Sequence, residues 1–259
     1  MWTEIVVVVV AFAALGWYYG PSNTVCVAPA GGGACLAVHR AHGDRAAAAA
    51  ALRRVREVLF VAAAYLREKY APRDGPREPS VDVLWDVVRP WTLTAPSLQN
   101  LSREQLARGL AAQPPEPTRR ALSGLVRLLL ARWQPAQLTE GSPLNWEKET
   151  AYTVQHGREM VYCLRDKRPP HNILPDSLLF FVALHEMTHI FTPGFAHPPC
   201  FWEHFKWVLF ECSAAGIYAA PDYREFPADY CGLHVDHSPL TDGVTASIWL
   251  LPPEQWGHC

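Results

Sequence analysis

The pattern of apolar and polar residues divides the chain into an apolar beginning, a middle part with helical periodicity and a C-terminal part that mixes strands with helices. The run from Ile5 to Tyr19 contains no charged residue. Residues 43–145 carry apolar residues at helical spacing. Residues 146–259 contain two short β-rich runs and two helix patterns. Together these patterns predict a chain of the α+β class.

The apolar run at residues 5–19 predicts a membrane anchor. As a helix it spans about 22 Å, short of the roughly 30 Å hydrocarbon core of a bilayer, but it can cross if Trp2 and Thr3 are added and the bilayer thins locally. A cleaved signal peptide is a second interpretation, although Glu4 stands where a signal peptide has positive charge. A buried strand is a third, because consecutive valines favour strands. We expect residues 1–20 to form a single-pass N-terminal anchor.

Residues 21–42 predict a flexible stalk. They contain Pro21 and three consecutive glycines at positions 31 to 33, which disfavour regular structure. Cys26 and Cys35 lie close enough in the sequence to form a small disulfide. The chain has seven cysteines, so at least one thiol stays free or pairs with another chain.

Three helices are predicted within residues 43–145, over about 44–70, 102–112 and 118–133. The first has an apolar stripe at helical spacing, formed by Leu52, Val55, Leu59, Ala62, Ala63 and Leu66. Ser102 with Gln105 resembles a capping box that begins the second. Prolines interrupt the chain between the first two helices, at Pro72, Pro76 and Pro79. We expect the helices to form a small bundle packed on the C-terminal core.

The strongest chemical signal is the His-Glu-Met-Thr-His segment at residues 185–189. On a helix, His185 and His189 lie on one face and can bind one zinc ion, and Glu186 can take a proton from a zinc-bound water. The helix is predicted to begin near Asp176, whose side chain can cap it. Its first half is apolar nearly all round, so it should be buried, and buried histidines need a partner such as a metal. Histidines bonded to backbone or water are the alternative.

Zinc in hydrolases usually has three protein ligands and an open water position, so a third ligand is expected. The Pro-Gly pair at 193–194 ends the helix and turns the chain back, which favours His197. A second helix is predicted over roughly 199–219, beginning at adjacent prolines. That helix carries two competing candidates for the third ligand, Glu211 and His204.

The His-Glu-x-x-His segment, a Gly-x-x-His turn and a His-x-x-x-Phe-Trp motif resemble the WLM and SprT groups of zincin metallopeptidases. The match extends to residues 161–167 and 229–233, and it covers about residues 148–240. It is most similar to WLM-like metallopeptidases of large DNA viruses, which often follow an N-terminal hydrophobic segment. The resemblance implies a zincin-like core, a Zn²⁺ cofactor and peptidase activity. It also implies the site residues, with Glu186 as the base and His185, His189 and His197 as the ligands. The turn to His197 is longer than is usual in WLM proteins.

Two β-rich runs at residues 151–154 and 160–164 predict a hairpin before the active helix. Zincins commonly present a sheet edge above the metal, onto which an extended peptide pairs. The 160–164 strand is our candidate for that edge, and a purely structural hairpin is the alternative. Candidates for the transition-state donor all follow the second helix, namely Tyr218, Tyr223, Tyr230 and His234.

Composition narrows the choice of partners. A net charge of −2 gives no reason to expect nucleic acid, and a basic cluster at residues 53–56 fits a solvated helix face. The sequence therefore predicts a membrane-anchored zinc metallopeptidase that acts on polypeptides, and the resemblance to viral proteins implies a virion or host membrane. One alternative is a zinc-stabilised structural protein, whose site a fourth ligand such as Cys200 or His204 would close. Another is a protease of DNA-linked proteins.

Overall fold

The computed structural model describes residues 24–28, 35–71, 78–133, 138–141, 151–194 and 196–241. Within these ranges the chain is a mixed α+β protein with six α-helices, a five-stranded sheet and a separate two-stranded hairpin. The strands are β1 (Thr24–Val27), β2 (Leu36–His39), β3 (Leu138–Glu140), β4 (Ala151–Val154), β5 (Glu159–Tyr162), β6 (Ala228–Tyr230) and β7 (Leu233–Val235). The helices are α1 (Arg45–Tyr70), α2 (Val81–Thr94), α3 (Arg103–Ala111), α4 (Glu116–Arg132), α5 (Asp176–Phe191) and α6 (Pro199–Ala214).

The main sheet has the strand order β1-β2-β3-β5-β4. β1 is antiparallel to β2 and β4 is antiparallel to β5, whereas β3 runs parallel to both of its neighbours. The hairpin predicted at 151–154 and 160–164 is confirmed as β4 and β5. The prediction that the 160–164 strand forms the sheet edge is wrong, because β5 pairs with β3 on one side and with β4 on the other. Among the described strands, β4 forms the edge of the sheet at this end and β1 forms the edge at the other end.

The N-terminal strands belong to this same sheet. Residues 24–27 and 36–39, expected in a flexible stalk, are β1 and β2, and the suggested Cys26–Cys35 disulfide is present. β3 precedes the expected domain boundary at residue 146 and pairs with β5 beyond it. The described part of the expected stalk is therefore a structural hairpin, and the sheet crosses that boundary.

Helix α1 packs at the centre of the fold, against α2, α4, α5 and β2. Its predicted apolar stripe is buried, and Leu52, Val55 and Leu59 are fully covered. Arg54 on a more exposed face of α1 binds the carboxylate of Asp176, at 2.8 Å. Asp176 is the first residue of α5 and its side chain does not cap the helix, so that expectation is wrong. The carboxylate joins α5 to α1 instead.

The capping box at Ser102 and Gln105 is confirmed at the start of α3. Helix α2 was not anticipated, because prolines precede it and Pro90 lies inside it. It forms because the Ser80 hydroxyl accepts a hydrogen bond from the Val83 N–H and because one side of the helix is buried. Pro79 lies between α1 and α2, as predicted, and α2 itself is a helix that the sequence patterns did not indicate.

Helix α5 is buried around nearly its whole circumference, as its apolar sequence predicts. Helix α6 packs against it and ends at Ala214, earlier than the predicted residue 219. None of the helices in the described part of the chain is both long and apolar enough to cross a bilayer. The expected anchor at residues 5–19 lies outside the described residues.

Candidate metal centre

Three histidines meet where α5 turns back toward α6. His185 and His189 are one helical turn apart, and their Nε2 atoms are 3.3 Å from each other. The chain then reverses through Gly194 and Ala196, which have positive φ angles of 88° and 59°. This turn brings His197 back, and its Nε2 atom lies 2.9 Å from that of His185. One ligand atom from each histidine lies within 4.8 Å of the others.

Two of the distances between the histidine Nε2 atoms, 3.3 Å and 2.9 Å, are close to those expected around a single metal ion. Zn–N distances of about 2.0–2.1 Å in a tetrahedral site place the ligand nitrogens about 3.3 Å apart. His185 Nε2 faces two other Nε2 atoms, and a single ring proton can bridge it to only one of them. A cation between them can interact with all three lone pairs, so the donor set suits a metal better than a hydrogen-bond network.

Burial keeps the imidazoles in the neutral form that binds metals. Burial and the neighbouring His189 and His197 lower the pKa of His185 to about 3. Burial and the neighbouring His197 lower the pKa of His189 to about 4. Burial also lowers the pKa of His197, although its side chain is the most exposed of the three. The lone pairs are thus available at neutral pH.

Aromatic side chains from the first turns of α6 hold the triad in place. The ring of Phe201, which is fully buried, lies 4.8 Å from His185, 4.3 Å from His189 and 4.7 Å from His197, measured between ring centroids. Trp202 stacks on His197 at 5.3 Å. These rings restrict the orientations of the imidazoles, so the site is organised before any ligand binds.

Glu186 is positioned beside the triad by the edge strand. Its side chain is only 3% exposed, and its Oε2 atom accepts a hydrogen bond from the Thr153 hydroxyl of β4 at 2.8 Å. Two buried phenols, Tyr162 and Tyr230, lie close enough to Glu186 for its charge to affect their pKa. Burial, followed by the charge of Glu186, raises the pKa of both well above the usual value. The phenols therefore remain protonated next to the carboxylate.

The triad and Glu186 open into a cavity of about 900 Å³. One wall is β4, the edge strand, and the other is the β6–β7 hairpin with the residues that follow it. A disulfide between Cys163 and Cys231 attaches this hairpin to the end of β5. The sequence did not reveal this bridge, because its cysteines are 68 residues apart.

The structure places the competing ligand candidates elsewhere. Glu211 is fully buried and its carboxylate binds Lys69 at 2.8 Å, away from the triad. The Nδ1 atom of His204 is 2.9 Å from the Thr192 hydroxyl. Cys200 is disulfide-bonded and has no free thiolate. Of the candidates, the fold brings only His197 next to His185 and His189.

The four candidate transition-state donors divide into two pairs. Tyr230 and His234 line the cavity, and His234 lies on the exposed hairpin, 3.4 Å from Asp229. Tyr218 and Tyr223 are buried outside the cavity wall, and the Tyr223 hydroxyl donates to the carbonyl of Ser177. Tyr230 and His234 therefore remain candidates.

Sequence reasoning missed two kinds of residue at this site. Thr153 was noted only as part of a β-rich run, and nothing in that run points to Glu186. Phe201 and Trp202 entered only as letters of a motif, although an aromatic pair four residues after a candidate ligand could have suggested a packing role. The sequence alone does not show which residues of different secondary-structure elements contact each other.

Comparisons with known proteins identify relatives but no activity. No family model and no solved structure matches the chain. An uncharacterized protein of Acanthamoeba polyphaga mimivirus is 35% identical over 95 residues, which are 36% of this chain and 47% of that protein. An uncharacterized protein of Invertebrate iridescent virus 6 is 28% identical over 121 residues, which are 46% of this chain and 62% of that protein. The chain thus spans about half of the first relative and under two thirds of the second, and its similarity to viral proteins suggests a viral origin.

Proposed function

We propose that the protein is a zinc-dependent metallopeptidase. The observation that carries the proposal is the convergence of the Nε2 atoms of His185, His189 and His197 at an open cavity, with the Glu186 carboxylate beside them. Three neutral imidazoles form a donor set that zinc commonly takes, with a fourth position left for water. This arrangement matches what peptide hydrolysis requires.

Peptide-bond hydrolysis assigns a proton-transfer role to Glu186. A bound Zn²⁺ would polarise the scissile carbonyl and lower the pKa of a water ligand. Glu186 accepts a proton from the attacking water while the water oxygen bonds to the carbonyl carbon. The same carboxyl group then gives this proton to the amide nitrogen as the C–N bond breaks, which yields an amine and a carboxylic acid, and the remaining acid proton passes to the amine. Thr153 holds the carboxylate oxygen through its hydroxyl group.

The sheet supplies a surface for an extended substrate. β4 pairs with β5 on one side only, within the described residues, and its residues Ala151, Tyr152 and Thr153 line the cavity. A peptide that adds to this edge gains main-chain hydrogen bonds and lies across the triad. Unfolded or extended polypeptides are therefore the substrates that the cavity favours.

A closed structural zinc site is less well supported. Such a site needs a fourth protein ligand, and the two candidates on α6 are already engaged, His204 with Thr192 and Cys200 in a disulfide. A protease of DNA-linked proteins would need a basic surface near the site to bind DNA. No lysine or arginine lines the described cavity wall. We therefore retain the peptidase proposal.

We also propose that residues 5–19 anchor the protein in a virion or host membrane. The full chain should then pellet with membranes and resist carbonate extraction, and a chain without residues 1–20 should not. A mature N-terminus near residue 14 or 21 would instead identify a signal peptide.

The central test uses the full chain and the Glu186→Gln variant. We expect about one zinc per chain in both proteins, because the substitution removes a base and no ligand. Cleavage of an unfolded protein should fall about 100- to 10,000-fold in the variant. Glu225→Gln, at an exposed position, is the matched control and should cleave like the unmodified chain.

Two results would contradict the proposal in different ways. Full cleavage by the Glu186→Gln variant would show that another group is the base. One zinc per chain without cleavage of any of a broad set of unfolded proteins would identify a structural site.

A further inference from the structure

The residues of α5 that line the cavity are apolar in one helical turn and polar in the next. Phe181 and Val182 line the cavity one turn before His185 and Glu186. Side chains four positions apart on a helix lie about 5–6 Å from each other. Consecutive residues of an extended peptide advance about 3.3 Å. An apolar surface therefore lies one to two peptide residues away from the triad.

Two further elements complete this surface. The ring of Phe205 on α6 lies 5.1 Å from that of Phe181 and 5.1 Å from that of His185, so it joins the apolar turn to the triad. Leu233 of the β6–β7 hairpin lines the opposite wall and is 55% exposed. We call Phe181, Val182, Phe205 and Leu233 the apolar pocket.

The charges around the apolar pocket disfavour acidic side chains of a substrate. Among the described residues that line the cavity, the aspartate and glutamate side chains are Asp236 and Glu186, and no lysine or arginine is present. An acidic substrate side chain would lose hydration there, and no lysine or arginine among the described lining residues could pair with it. An aromatic or long aliphatic side chain has no hydrated charge to lose there, and burial of its apolar surface favours binding.

We propose that the apolar pocket binds the side chain next to the cleaved bond, and that the substrates are unfolded segments with an aromatic or long aliphatic residue at that position. This inference rests on the proposed peptidase function. A fully buried apolar side chain of this size should favour binding by about tenfold or more over aspartate at the same position.

The test compares two peptides that differ at one position, leucine in one and aspartate in the other. Their binding is measured by fluorescence anisotropy on the zinc-loaded full chain carrying Glu186→Gln, which separates binding from turnover. We expect at least about tenfold tighter binding of the leucine peptide. In parallel, the cleavage sites of the unmodified chain on unfolded proteins are mapped by mass spectrometry.

Two exposed leucines provide a matched pair of variants. Leu233→Glu places a charge in the apolar pocket and should abolish the preference for leucine. Leu93→Glu changes a leucine on α2 that is 77% exposed and does not line the cavity, so it should leave the preference intact. Both positions tolerate charge on the surface, so neither variant should unfold the protein.

Each outcome decides the inference separately from the proposed function. Cleavage without an apolar preference, or equal binding of the two peptides, overturns the apolar pocket and leaves the peptidase proposal intact. Selective binding of the leucine peptide that Leu233→Glu removes supports the apolar pocket even if the unmodified chain cleaves nothing. In that last case the peptidase proposal fails alone.

Discussion

Two polar clusters involve α6 or the turn that precedes it, and they differ in how fully their polar atoms are occupied. In the first, His185, His189 and His197 turn their Nε2 atoms toward one another beside an open cavity. In the second, Glu211 on α6 meets Lys69 on α1 in the interior, where both side chains are completely covered. Each cluster includes a residue that the sequence offered as a third ligand.

The Glu211 cluster is complete without a ligand. Its carboxylate accepts hydrogen bonds from Lys69, from the Tyr65 hydroxyl and from the Tyr70 hydroxyl, at about the same distance of 2.8 Å. Burial raises the pKa of Glu211, and the charge and hydrogen bond of Lys69 oppose that shift. The histidine triad differs, because its nitrogens face one another and could hold a metal ion. A candidate ligand is therefore better judged by its occupied lone pairs than by its place in the sequence.

The largest expected effect comes from breaking the Glu211 cluster. Lys69→Met leaves the carboxylate buried without its cationic partner and should lower the free energy of unfolding by about 3–5 kcal/mol. Denaturant unfolding measures this change, and zinc content should not change. The exposed pair Arg103–Asp82 is the matched control, and Arg103→Gln should leave the denaturant midpoint of unfolding nearly unchanged.

A second substitution tests whether the cluster is purely structural. Lys69→Met combined with Glu211→Leu removes both charges and should recover part of the lost stability. A double variant that also loses zinc would show that the two clusters are coupled, against the separation described above.

The next largest effect should come from the triad itself. His197→Ala removes one of three nitrogens and should weaken zinc binding by about 100- to 1,000-fold, since a structural zinc site gains roughly 10–16 kcal/mol from four ligands. Competition with a chromogenic chelator measures the affinity. Glu211→Gln keeps the size of the side chain and should leave zinc affinity unchanged. The reverse result would move the third ligand to Glu211.

Local signals predicted a substantial part of this molecule. Periodicity found α1, and the Ser102 capping box found α3, because both depend on residues close in sequence. The spacing of His185 and His189 predicted a shared face for the same reason. These features are independent of the rest of the fold.

The errors concern partners that are distant in sequence. Glu211 was a plausible ligand until Lys69, 142 positions earlier, was seen to occupy it. The edge strand was misassigned because β3, which pairs with β5, belongs to the preceding region of the sequence. Nothing in the sequence of β3 indicates that pairing. Asp176 was expected to cap its own helix, and Arg54 binds it instead. Sequence spacing carries no information about such pairs.

Thr153 is the distant partner that matters most for the proposed chemistry, and it gives the smallest predicted effect. Thr153→Val keeps the shape of the side chain but removes the hydroxyl that holds Glu186 Oε2. A hydrogen bond to a charged group contributes about 1.5–3 kcal/mol, so kcat should fall about 10- to 160-fold. KM should change little, because the substrate surface of β4 stays in place, and zinc content should stay the same.

Thr153→Ser restores the hydroxyl and should restore kcat, which a role in packing alone would not explain. Thr139→Val removes a strand hydroxyl that contacts Glu159, away from the triad, and should not affect turnover. If Thr153→Val keeps full kcat, the edge strand does not position the base. If the variant loses zinc as well, Thr153 also supports the histidines. The assignment of Thr153 to Glu186 alone would then be wrong. A loss of kcat alone, rescued by serine, would show that the strand expected to bind the substrate also orients the group that activates water.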